Sequence, residues 1–517
     1  MTQINRLALN TVVSYSRSLL ALFLGLFSAR WVLQALGQED FGLYGVVGSI
    51  ITSISFLNLT LSGSVSRFYA FTIGREINIG VSAFRQEMTE YYNAAMCLHV
   101  FVAALMLLIG WPLGEYAIQH ILVIPSHRVD SCLWVLRFSI FSSLVSVVAV
   151  PYIALYTAYQ YIAEMTVFDI IRTILNFVNA AILIHVSCDH LLLYSMLMAL
   201  SGALVTLAQL WRAKCQFPLD FKLFKIKIEI ARIRDIGVYG AFKIMGVLGW
   251  LIKSHGSAFA INLSFGPKAN AAYSIANQVV AHSTALSSSL MNAIAPALTT
   301  FAGAGDKEKM KKYAISACKL SGLLVLFFAV PILCEIDYIL RLWLKAPPAE
   351  SAKLCSLFIV AFFIDVISLG HVMAICSLQN IGRWQLIEFL LLLLTAPVTY
   401  VLYRLSFSFL TIGVVFIICS TCIMCERVYF GYRLIGISPK TWISQVLARL
   451  LTIFCIAYPL GCLAHNTFPG SPITALVTVL AAVFLIMLLG AWFFLFDASE
   501  RLLLSGMVAK IRRKFVR

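Results

Sequence analysis

Read for hydrophobic and polar positions, the chain is a succession of long apolar runs separated by short polar corners. A helix of roughly 18 or more apolar residues crosses the ~30 Å hydrocarbon core of a bilayer. In lipid only helices and closed barrels satisfy their own backbone, and these runs lack the two-residue alternation of barrel strands. The pattern predicts fourteen spans, at 8–35, 41–66, 89–112, 130–157, 161–185, 190–211, 237–263, 269–301, 313–334, 354–378, 384–404, 408–430, 443–465 and 471–497. No cleavable signal peptide is evident in "MTQINRLALNTVV", so the first run is expected to stay in the mature protein.

The connectors carry the next layer. With the N-terminus placed inside, most Lys and Arg residues fall in inside segments, which predicts cytoplasmic termini. The longest of these segments, "WRAKCQFPLDFKLFKIKIEIARIRD", divides the chain. The expected organisation is a six-helix lobe over 1–211, a basic linker over 212–236 and a second six-helix lobe over 237–434. Helices 13 and 14 follow over 435–497, and a basic amphipathic tail over 498–517 lies on the anionic leaflet. Shifting the sequence by 229 residues places Gly37 on Gly266, Tyr44 on Tyr273 and Gly74 on Gly303. Repeats with an even number of spans are parallel, and such repeats enclose a cavity. The expected fold is therefore an all-α polytopic membrane protein of about fourteen transmembrane helices. It has two parallel six-helix lobes around a central cavity, plus two extra C-terminal helices.

Composition agrees: 61% of residues are hydrophobic and 12% charged, against about 25% charged in soluble domains, and mean hydropathy is +0.91. The net charge of +16 is explained by orientation and calls for no nucleic acid. No phosphate-binding loop or dinucleotide fingerprint is present. The thirteen cysteines lie mostly inside apolar runs and read as packing residues, "CSTCIMC" (419–425) included.

Polar groups inside spans are costly unless they face a cavity or a partner. Helix 8 carries Asn270, Ser274, Asn277, Thr284, Ser288 and Asn292 on one stripe, flanked by Gln278 and His282. Helix 1 offers Arg17, helix 2 Asn58, helix 7 Lys253 and helix 10 Asp365. Single Ser or Asn residues usually bond across packed helices, but a full-length stripe and a central Lys253 point to a solvated cavity. Its deep charges, Arg17 and Lys253 against Asp365, favour an anionic substrate. Lys319 near a helix end is expected to snorkel, Asp169 and Arg172 to pair along one helix, and Glu426 and Arg427 to anchor at the interface. The His-x-x-x-Asp pattern in "HVSCDH" (185–190) falls in a short turn and reads as incidental.

"SARWVLQALGQEDFGLYGVVGSI" (28–50) and the following "FLNLTLSGSVSRFYAFTIG" carry a resemblance. The residues are Arg30, Leu36-Gly37, Glu39-Asp40, Phe41-Gly42-x-Tyr44 and Arg67-Phe68, with "KANAAYSIANQV" opening helix 8 and "LRLWLKAPP" before helix 10. From about residue 5 to 435 the chain resembles the bacterial polysaccharide-biosynthesis membrane proteins. These are the O-antigen and capsule lipid-linked oligosaccharide flippases of the multidrug/oligosaccharidyl-lipid/polysaccharide exporter superfamily. At the corner itself, Gly37 and Gly42 are expected to permit a tight turn, with Arg30 in reach of Glu39 and Asp40 at the outer interface.

The resemblance implies two lobes in a V and an undecaprenyl-pyrophosphate oligosaccharide moved from the cytoplasmic to the periplasmic leaflet of the bacterial inner membrane. A polysaccharide polymerase and glycosyltransferases would be partners, and membrane lipids surround the chain. Arg17 and Lys253 would hold the pyrophosphate, with Asn58, Asn277, Gln278, Ser288, Asn292 and Asp365 lining the cavity. No catalytic residue, metal or cofactor is expected, and H+ and Na+ stay open as coupling ions. Two rivals stand beside this reading: a cation-coupled drug exporter of the same superfamily, which would want more acid in the cavity, and a membrane polymerase, which would want a large outside loop. The longest such segment here is Gly114 to Asp130.

Overall fold

The computed structural model describes residues 20–50 except 22, scattered positions from 62 to 73, and then 81–159, 161–217, 245–303, 305–378, 382–467, 472–498 and 500–501. The expected linker 212–236 lies mostly outside these residues, as do Arg17, Asn58 and Arg67. The described chain is all-α and multi-pass. Among the described residues nine helices are long and apolar enough to cross a membrane, or ten when one bent pair counts as a span.

Residues 23–50 are helical, but Gly37 has φ 73°, a left-handed conformation, which splits the stretch into α1 (23–36) and α2 (38–50). Then come α3 (Val81–Ile121), α4 (Val129–Ala158), α5 (Ile162–Leu183) and α6 (His190–Gln216). Helix α7 (245–265) ends at Gly266, whose φ of 76° is close to that of Gly37. Helix α8 (Pro267–Gly303) starts at once, with proline in the first turn where its missing N–H costs nothing.

Beyond it lie α9 (Lys307–Leu344), α10 (Ser351–Val366), α11 (Leu369–Cys376), α12 (Gly382–Arg404), α13 (Thr411–Ile435), α14 (Pro439–His465) and α15 (Pro472–Leu495). Helix α9 kinks at Glu335 (φ −123°, ψ 23°), four residues after Pro331.

Two expectations about elements change. Helix α3 continues through π-helical turns to Ile121, and a 3-10 turn occupies Ser126–Arg128. The segment expected to be an outside loop from Gly114 to Asp130 therefore shrinks to a few residues. The span expected at 354–378 is broken into α10 and α11, bent by 43°.

Contacts divide the chain into two compact units. Unit 1 comprises Met1–Ser274, Trp343–Ala349 and Glu388–Ile412; unit 2 comprises Ile275–Leu342, Glu350–Ile387 and Gly413–Arg517. In unit 1, α4 packs along α6 and against α3, around buried Tyr69, Tyr92, Tyr152 and Tyr156. In unit 2, α14 packs along α15, and the core joins Val446, Leu450 and Ile453 to Val479, Val483 and Met487.

Candidate functional site

In unit 1 the two glycine corners meet each other. A Cβ on Gly42 would sit 1.9 Å from the carbonyl oxygen of Pro267 and 3.2 Å from the nitrogen of Ala271. A Cβ on Gly45 would sit 2.8 Å from Ser274 Oγ, and Glu39 lies 3.9 Å from Lys268 Nζ. Glu39 and Lys268, Gly42 and Ala271, and Gly45 and Ser274 are each 229 positions apart, the shift that aligns the two corners. Each corner thus packs on its own repeat image, the pattern a two-fold axis produces when a patch meets its copy. Gly42 was expected to shape the turn. It does not: Gly37 takes the left-handed turn, and Gly42 is there because backbone approaches too closely for any side chain. Asn270, 1% exposed beside this seam, has no hydrogen-bond partner for either amide atom among the described residues.

The acidic residues of the first corner serve as tethers. Asp40 is buried and lies 2.7 Å from Arg128, which also holds Asp189 at 2.9 Å. Asp189 accepts hydrogen bonds from the backbone N–H of Leu191 and Leu192, capping α6, and from Ser131. The His-x-x-x-Asp motif is therefore a helix cap, and no metal-binding cluster occurs among the described residues. Arg30 is half-buried on α1. The carboxylates it was expected to meet are held by Arg128 and Lys268. Tyr44 packs its ring 4.9 Å from that of Tyr194.

Lys253 lies in a π-helical turn of α7, Ile252–Gly256. Such single turns widen a helix and often mark functional sites. The hydroxyl of Tyr273, repeat image of Tyr44, donates to the Ser254 carbonyl at 2.6 Å and ties this turn to α8. Asn277 and Gln278 are half-buried on α8 in unit 2. Ser288 and Asn292 lie further along α8, and their side chains are outside what is described.

Asp365 stands at the break between α10 and α11. It accepts from Ser420 at 3.0 Å, lies 3.9 Å from the Arg427 guanidinium, and its carbonyl accepts from Arg427 at 3.1 Å. Trp442 donates to the carbonyl of Ile367, the other group freed by the bend. Arg427 and Glu426, expected to be interfacial anchors, are instead turned inward: Arg427 holds the break and Glu426 accepts from buried Trp384. Arg172, expected to pair with Asp169 along α5, donates across to Thr206 of α6.

Lys319 was expected to snorkel, and does not. It is 1% exposed and held by Asp497 at 2.7 Å and Glu500 at 3.1 Å. Arg449 bridges to Asp497 at 2.9 Å, and Ser316 donates to Glu500 at 2.6 Å. The partners of Lys319 lie 178 and 181 residues downstream, which is why no local pattern exposes them.

Residues 244–402 match the MatE family. In the solved structures, a multidrug resistance MATE family transporter in its inward-facing conformation superposes with TM-score 0.66 at 14% identity, over 82% of this chain and 98% of that one. The lipid II flippase MurJ, inward closed, superposes with TM-score 0.66 at 10% identity, over 94% of this chain and 98% of that one.

The fold is MATE/MurJ-like.

The uncharacterized membrane protein EpsK of Bacillus subtilis (strain 168) is 23% identical over 377 residues, 70% of this chain and 69% of that protein.

Proposed function

We propose that this chain is a flippase for lipid-linked oligosaccharides, carrying an undecaprenyl-pyrophosphate headgroup across the inner membrane by alternating access while the polyprenyl tail stays in lipid. The observation that carries this reading is coverage. The lipid II flippase fold accounts for 94% of the chain, against 82% for the inward-facing multidrug transporter. The fuller coverage favours the lipid II flippase fold as the guide to function. Two repeats meeting on a near-symmetric glycine seam are what a rocking pair of repeats requires. Lys253, on a widened turn braced by Tyr273, is the anchor we assign to the pyrophosphate; Arg17 is assigned to it as well, and Asn58, Asn277, Gln278, Ser288, Asn292 and Asp365 to the path of the headgroup. O-antigen, capsule and exopolysaccharide units are the candidate cargoes, both termini are cytoplasmic, and the two repeats form the lobes 1–211 and 237–434.

The test is direct. Deleting the protein depletes surface polymer and leaves lipid-linked units accessible only from the cytoplasmic face. Flipped units accumulating in the periplasm would instead assign the defect to polymerisation. Lys253→Ala gives protein of normal abundance that makes little polymer, and Lys253→Arg keeps part of the activity. Normal polymer from a stable Lys253→Ala protein removes that residue from the site. The second reading, a cation-coupled drug exporter, rests on the MatE match over 244–402. It requires that deletion sensitise cells to lipophilic cations while polymer stays normal.

A further inference from the structure

About ten residues into α14, beside the end of α15, a cavity of about 520 Å³ opens next to the clasp on Lys319. Arg449, Arg501 and Thr452 line it together with Phe493, Phe494 and Asp497. Phe493 and Phe494 are 63% and 53% exposed at the end of an otherwise lipid-like helix face. We infer that this cavity binds the phosphate of a membrane lipid, with the two arginines on the phosphate and the two phenylalanines against the first carbons of its chains.

Charge comes first. Lys319 and Arg449 pair with Asp497 and Glu500, and Arg501 adds a third cation to the cavity lining, so these five residues carry one positive charge over. Donor count is the second ground. Arg449 gives two hydrogen bonds, to the Leu495 carbonyl and to Asp497, and Arg501 gives two, to the carbonyls of Phe496 and Phe493. A guanidinium has five N–H donors, so among the described residues each arginine retains three after these contacts. Those contacts hold both forks in place, which lowers the entropy lost when a phosphate binds. Position is the third. The cavity lies where the apolar face of α15 gives way to charged chain at Asp497, as at a headgroup, and basic pockets between membrane helices suit anionic headgroups. Asp497 does not oppose the ligand, because Lys319 and Arg449 already neutralise it.

A phosphate ester on apolar chains has two sources in this membrane: bulk anionic phospholipid and polyprenyl phosphate carriers. The experiment separates them. Purified full-length protein in detergent is titrated with phosphatidylglycerol, phosphatidylethanolamine or undecaprenyl phosphate and read by native mass spectrometry. Phosphatidylglycerol is expected to be retained in preference to phosphatidylethanolamine. Arg501→Gln is expected to cut that retention about five-fold, the weight of one interfacial arginine, while Arg433→Gln, at the end of α13 and outside the cavity, leaves it unchanged.

Because Arg501 also satisfies two helix carbonyls, Ala498→Glu supplies an independent reading. Ala498 lines the cavity and is exposed in the helical turn that follows Asp497. An added acid in a first helical turn favours the fold but repels an anionic ligand, so a folded Ala498→Glu protein loses the lipid. Undecaprenyl phosphate displacing phosphatidylglycerol would name the carrier as the source, and the reverse would name bulk lipid. Equal retention of anionic and zwitterionic lipid, or retention unchanged in both variants, overturns the inference.

Discussion

The glycine seam of unit 1 and the lysine clasp of unit 2 solve opposite problems. At the seam, Gly42 and Gly45 press on the opening of α8 with little side chain between, and the Glu39–Lys268 ion pair there is long and wet, 3.9 Å apart with side chains 36% and 71% exposed. Beside it the Asn270 amide has no hydrogen-bond partner among the described residues, at an expected cost of about 1–3 kcal/mol. At the clasp, by contrast, Lys319 is 1% exposed between two carboxylates, and each carboxylate has a further partner in Arg449 or Ser316. Contacts that are close but weakly bonded can separate at low cost. A buried cation with two anions cannot. The molecule thus pairs a surface suited to parting with a join suited to permanence.

Breaking the clasp has the largest expected effect. Asp497→Asn with Glu500→Gln leaves Lys319 buried without a counter-charge, at a cost of about 3–5 kcal/mol. Abundance and thermal stability in detergent should both fall, and adding Lys319→Met should restore most of the loss. If the double change is harmless, the clasp is ornamental. Acid probes the same join. Burial raises the Asp497 carboxyl, and the hydrogen bonds from Lys319 and Arg449 more than reverse that, so it lies below its ordinary value. A carboxyl depressed in the folded state contributes stability above its unfolded value, near pH 4, and loses it as pH falls further. The Asp497→Asn protein should show less of that acid sensitivity than the parent.

The seam is next. Gly42→Ala places a methyl group inside the van der Waals radius of the Pro267 carbonyl, which cannot retreat without moving the start of α8. The expected cost is about 1–3 kcal/mol, with transport lost at near-normal abundance. Gly48→Ala is the control, since nothing lies within 4 Å of its added carbon. Should both substitutions behave alike, close approach is not what selects glycine at position 42.

How much of this was legible beforehand follows from distance along the chain. The apolar runs, the Gly37 turn and the 229-residue repeat are local or periodic, and Gly37 and Gly266 share a positive φ of 73° and 76°. Gly42 was noticed in the motif but given the wrong job, because its neighbour lies on α8, in the other repeat. Lys319, Arg427 and Glu426 were read by depth alone, as snorkelling or anchoring residues. Their partners are 42 to 181 residues away, so no spacing rule could pair them. The break at Asp365 also escaped, since no proline marks it.

Matching substitutions at the two turns test the repeat itself. Gly266 has φ 76° and ψ −173°, a region almost closed to other residues. Gly266→Ala should therefore cost about 1–3 kcal/mol in thermal unfolding. If the corners are true images, Gly37→Ala costs the same within error, and a markedly cheaper Gly37→Ala would mean that the sequence repeat has outlived the structural one.

The smallest effect is expected from the pair that bridges the images. Glu39 and Lys268 are exposed and nearly 4 Å apart, and such pairs contribute about 0.2–1 kcal/mol, less in salt. Glu39→Lys places two like charges at the seam, and the exchange of both residues restores attraction with the polarity reversed. If the pair steadies the seam when the corners are together, Glu39→Lys lowers transport modestly, the exchange recovers it, and both differences shrink as ionic strength rises. A loss that the exchange fails to recover, or that persists at about 1 M salt, where screening acts within ~3 Å, would mean that Glu39 acts through something other than Lys268. The seam would then depend on glycine contact alone.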